Sequence, residues 1–126
     1  IACGVYQLNK TVSLFLHGGD SGQYALVVES INNFVQSYVE RQIKINTNAS
    51  KESLNRIALE IVLRLFGTRV QQILRGGDVD LGLVLAGIVS DVEGQVSTNI
   101  STKVLVESLV SRWVYGCVGD SVFTTS

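Results

Sequence analysis

The chain has 126 residues, 46% of them hydrophobic and only 17% charged, and its ten basic and eleven acidic side chains leave a net charge of -1. That length suits one domain around one core, and the even scatter of charge leaves no basic stripe to neutralise nucleic-acid phosphates. The charged share is well below the roughly 25% of ordinary soluble domains, so apolar surface is expected to be covered by a partner copy or an apolar ligand.

In chain order, a short apolar segment from Val12 to Leu16 runs into Gly18-Gly19-Asp20. Paired glycines let the chain enter the left-handed backbone region that ends a helix, and the following Asp caps the free amides of the next one. The second helix carries Tyr24, Val27, Ile31, Phe34 and Tyr38 at three- and four-residue steps, with Glu29, Asn32, Asn33 and Gln36 opposite. A polar loop from Lys44 to Ser50 leads to a third helix, Lys51 to Phe66, that is apolar almost all round and expected to be the most buried. Along it runs one charged line, Glu52, Arg56, Glu60 and Arg64, at four-residue spacing with alternating sign. Two readings stand: a solvated face, or a partly buried site in which Glu60 or Arg64 pairs with Arg69 or Lys10 and responds to acid.

The next segment repeats the first. Val70 to Leu74 precedes Gly76-Gly77-Asp78, the counterpart of Gly18-Gly19-Asp20, and both joints read as helix caps. A fifth helix is expected from about Leu81 to Val96, where Gly82, Gly87 and Gly94 weaken intrinsic helicity and make it depend on packing. A last helix, Thr102 to Tyr115, presents Val106, Leu109, Val110 and Trp113 to the core, with Val104 and Leu105 widening its apolar girth. The fold expected is therefore all-α, a bundle of about six helices from two tandem three-helix units, one over about 4–67 and one over about 68–117, with a tail at 118–126.

Little here points to chemistry. His17 is the single histidine and lies beside a glycine pair, where a helix end and its carbonyls explain it. One His and two distant Cys fall short of a zinc site, Asp20 and Asp78 are accounted for as caps, and neither glycine joint carries the Lys of a phosphate loop. A non-enzymatic chain without cofactor or metal is expected. Asp80, Asp91 and Glu93 interrupt the most hydrophobic stretch, so no transmembrane segment is expected. The start at Ile1 and the absence of Met suggest a processed or excised piece.

Cys3 and Cys117 lie near opposite ends, and a bridge between them would close nearly the whole chain, worth about 4.7 kcal/mol in the loop-entropy model. Three acceptor triplets for N-linked glycans, at Asn9, Asn48 and Asn99, agree with an oxidising, extracellular setting, so the chain is expected to be secreted. Two reduced, buried thiols are the alternative.

Three strings resemble the carboxy-terminal assembly domains of spider silk proteins: Ala25-Leu26 followed by Ile31, Phe34-Val35 and Val39; Ile57-Ala58-Leu59-Glu60-Ile61-Val62; and Val104-Leu105-Val106-Glu107-Ser108-Leu109-Val110. Together they span about two thirds of the chain. The resemblance implies a helical bundle that dimerises, keeps silk protein soluble in storage and directs its alignment as salt, acidity and shear change. It also implies a buried Arg–Glu pair, with Glu60 as the acidic member and Lys10 or Arg69 as a loose match for the basic one. The family's intermolecular Cys near its fourth helix has no counterpart here, and the chain is poorer in Ala. A second resemblance is to secretoglobins, small secreted helical carriers of apolar ligands. Cys3, Leu14-Phe15-Leu16, Gly18, Tyr24, the helix from Lys51 and Cys117 look like two such subunits fused, although the intervening family cysteines are missing around Gly67. These imply a homodimer in the first case and a bound apolar small molecule in the second.

Overall fold

A computed structural model describes the backbone at residues 2–18, 21–98 and 100–125, and side chains at 10–18, 22–98 and 100–117. Among the described residues there are five α-helices and no strand: α1 (Ala2–Gly18), α2 (Tyr24–Ile45), α3 (Lys51–Arg75), α4 (Val79–Gln95) and α5 (Thr102–Thr125), with one 3-10 turn at Ser21–Gln23. The all-α class is thus as the apolar periodicity implies, but the helix count is five where about six are expected.

The difference lies in α3. The third helix and the short Val70–Leu74 segment are one continuous helix, and the boundary expected at 67/68 falls inside it. Its buried positions Leu59, Val62, Leu63, Phe66, Val70 and Ile73 keep three- and four-residue spacing straight through Gly67, so one face stays in the core. Gly in a helix interior costs only about 1 kcal/mol, whereas a break would leave up to four donors and four acceptors to be satisfied again. Two further bounds differ. Helix α4 starts at Val79, since Asp78 caps it, and α5 runs on from Tyr115 to Thr125, so the expected tail is helical.

Local chemistry accounts for the stops and starts. Ser50 caps α3, its Oγ accepting from the Ser53 N–H at 3.1 Å. At the end of α3 the Asp78 N–H donates to the Ile73 carbonyl at 3.2 Å and the Gly77 N–H to that of Leu74 at 3.1 Å, a Schellman pair. Gly77 has φ +98°, the left-handed region that a side chain disfavours. Asp78 then restarts the chain, its Oδ1 accepting from the Leu81 N–H at 3.3 Å. Gly18 ends α1; Gly19 and Asp20 lie outside the described residues.

Helices α2, α3, α4 and α5 close a ring in which each packs on its chain neighbours and α5 returns to α2, leaving α2 and α4 at opposite corners. Helix α1 lies outside the ring, mainly against α2. At the centre, Trp113 meets Phe66 edge to face at a centroid distance of 5.0 Å, and Phe15 of α1 reaches Phe66 at 6.5 Å. The Trp113 indole N–H is buried without an acceptor among the described residues. Arg69 ties α1 to α3: its Nε donates to the Leu16 carbonyl at 3.2 Å, putting a cation on the C-terminal turn of α1.

Candidate functional site

With the core filled by aromatic and branched side chains, the remaining apolar surface lies outside. It is spread over every helix, with Leu14, Leu26, Ile45, Ile57, Ile100 and Val104 among the exposed side chains, and includes two larger features, one along α2 and one on α4.

The first is a groove of about 780 Å³ between α2 and the start of α5, open to solvent. It follows α2 from Tyr24 to Ile43, roughly 28 Å at 1.5 Å per residue. Its floor is apolar, with Val28, Val35, Val39 and Ile43, and its walls carry Glu29, Gln36, Glu40 and Glu107. The groove runs along one edge of the single broad apolar arc of α2. Val27, Ile31, Val35 and Val39 enter the core, while Val28, about a quarter turn on from Val27, and Ile43, one turn on from Val39, are left half-buried at its edge. Lys51 and Lys103 also line it. Both mark the Ile43 end, because Lys51 opens α3 directly after α2 and the start of α5 lies beside that of α3, where Glu52, Asn55 and Arg56 share a cleft with Ser101 and Thr102.

The second feature is the outer side of α4 and the adjoining part of α5. Leu83 is 61% exposed, Val79 51%, Val84 47% and Tyr115 79%. Val84 and α5 meet at the seam, where Val84 Cγ1 lies 3.4 Å from where a side chain on Gly116, next to Tyr115, would begin. Gly87 sits one turn beyond Leu83 with open space over it. The charges of α4 are all acidic, namely Asp80, Asp91 and Glu93, and Asp91 pairs with Arg112 of α5 at 2.8 Å, both ends partly exposed.

The residues singled out from the sequence fall elsewhere. Glu60 and Arg64 are exposed and border a shallow pocket with Glu93. Among the described residues the one ion pair is Asp91–Arg112, so the partly buried pair imagined for Glu60 or Arg64 with Arg69 or Lys10 does not form. Arg69 is occupied at Leu16 and Gln72, and Glu52, Arg56, Glu60 and Arg64 are all exposed. His17 Nδ1 is 2.8 Å from the Ser13 carbonyl, within the last turns of α1. Asn48 is exposed in the α2–α3 loop; Asn99 and the side chain of Asn9 lie outside the described residues. Cys117 is half-buried against the core, and the side chain of Cys3, its expected bridge partner, lies outside the described ones.

Among the described residues no helix is long and apolar enough to cross a membrane, and no three His, Cys, Asp or Glu side chains gather as a metal site. The groove was missed in the sequence because Glu29, Asn32 and Gln36 read as the solvent side of α2. Val28 and Ile43, just off the main stripe, were the available signal. Comparison with protein-family models, with curated proteins and with solved structures found no match.

Proposed function

We propose that this chain is a secreted, non-enzymatic module that works by self-association, in the manner of the silk-type assembly domains it resembles. One observation carries the reading: the outer side of α4 and α5 leaves Val79, Leu83, Val84 and Tyr115 about half or more exposed although the bundle has a filled core of its own. Exposed large apolar side chains occur on every helix, but three of the ten among the described residues lie on α4 alone, and such a gathering is the usual mark of a surface that is covered in use. The cap residues at Gly76, Gly77 and Asp78 are then scaffold, and the tandem-unit organisation, the Cys3–Cys117 bridge and glycans at Asn9, Asn48 and Asn99 are part of the same proposal.

The open groove along α2 favours a second reading, an apolar-ligand carrier of the secretoglobin kind. Light scattering over rising protein concentration, with native mass spectrometry on the same sample, separates the two. Self-association predicts a mass that climbs above one chain with nothing else bound. A mass fixed at one chain at every concentration refutes it, and an apolar molecule retained by that monomer would establish the carrier.

A further inference from the structure

The two apolar features are centred on α2 and α4, at opposite corners of the ring, and differ in shape, one a ridge and the other a trough. We propose that the α4 ridge of one copy seats in the α2–α5 groove of the next copy, the two in the same orientation, so that the module adds head to tail into open-ended chains. This inference rests on the self-association reading above and gives it a geometry.

Three observations support the match. The first is position: α2 and α4 stand at opposite corners of the ring, so a contact between them uses different patches on each copy and leaves one of each free at the ends. Such a heterologous contact continues until its rotation closes a ring. The second is size. Helix α4 has 17 residues, about 25 Å, against a groove of roughly 28 Å. Gly87, with nothing over it, lets a helix come close beside Leu83.

The third is charge. The groove's two lysines, Lys51 and Lys103, are at the Ile43 end, and that is also the end of the bundle where α4 finishes, because the loop after Gln95 leads directly to Thr102. A copy displaced without turning over therefore brings the acidic end of α4, Glu93 and the Arg112-paired Asp91, to those lysines, which share that end with Glu40 and Glu107. Turned end for end, it would offer them Asp80 alone and carry Asp91 and Glu93 toward Glu29. Opposed signs fix register and orientation more than affinity.

Complementation tests this directly. Leu83→Lys spoils the ridge, and Ala25→Arg with Gln36→Arg obstructs the groove at exposed positions; far-UV circular dichroism first establishes that both variants keep the parent's helicity. The unaltered chain should pass beyond the dimer as concentration rises. Each variant alone should associate at least about tenfold more weakly, and an equimolar mixture should form a one-to-one dimer and nothing larger, since only one intact ridge and one intact groove remain. A parent that stops at a closed dimer would overturn the head-to-tail geometry while leaving self-association standing. A mixture that fails to pair would overturn it equally, and a parent monomeric throughout would remove both proposals.

Discussion

Glycine replacement gives a test of the helix packing in which the sign of the effect, and not only its size, depends on position. Gly67 and Gly87 are inside helices, and a Cβ added at either meets nothing within 4 Å. Alanine there should gain the intrinsic difference of about 0.8–1 kcal/mol. Unfolding entropy of about 2.1 cal/mol/K per residue over 126 residues makes 1 kcal/mol worth about 4 °C. Each of Gly67→Ala and Gly87→Ala should therefore raise the melting temperature by about 3–4 °C. At Gly82 the same Cβ would lie 2.3 Å from Leu74 Cδ2 and 2.7 Å from Leu74 Cγ. The branch point as well as the tip of Leu74 must move, and overpacking of about 1–3 kcal/mol outweighs the helix gain, so Gly82→Ala should melt lower by several degrees. Gly77→Ala should also lose about 1–2 kcal/mol, because its φ of +98° strains any side chain. Thermal denaturation followed by circular dichroism in dilute solution reads all four. A destabilising Gly67→Ala would mean that α3 breaks at that residue after all. A neutral or stabilising Gly82→Ala would mean that α3 and α4 are further apart than described.

Other substitutions test other parts. Asp78→Ala removes the acceptor for the Leu81 N–H and should cost about 1 kcal/mol in chemical denaturation, as should Ser50→Ala at the start of α3. Arg69→Met deletes the donor at the Leu16 carbonyl and should cost about 1–2 kcal/mol, with faster amide exchange confined to the end of α1, while Glu60→Gln on the exposed line should change stability by less than about 0.5 kcal/mol. The reverse ranking would restore a paired Glu60. Phe66→Ala empties the position that both Phe15 and Trp113 pack on and should cost about 3–5 kcal/mol, a large part of the 5–15 kcal/mol that holds a domain together.

How much of this was legible in the sequence varies with the range of the interaction that decides it. Periodicity placed α2 and the first two thirds of α3 because their apolar steps are local and regular. The Gly76-Gly77-Asp78 joint could be read from three residues, since left-handed φ at Gly77 and the Asp78 cap are short-range demands. Gly67 misled because a lone glycine is a weak breaker, and only the burial of Val70 and Ile73 on the same face as Phe66 shows that the helix continues. A carboxylate partner for Arg69 is only one of two readings the sequence allows, and its acceptor is instead a carbonyl 53 residues earlier, a pairing that depends on how α1 lies against α3. The groove and the ridge were the least legible. Each is defined by which part of a helix's broad apolar arc is left outside the core, and that is settled by the neighbouring helices.

The central claim is that the apolar outer side of α4 is covered by another copy. Sedimentation velocity on the parent chain and on Leu83→Lys, run together from dilute to concentrated solution, tests it most directly. The parent's sedimentation coefficient should rise with concentration, while the variant should stay at the single-chain value with unchanged helicity. Two superimposable monomeric profiles would contradict it.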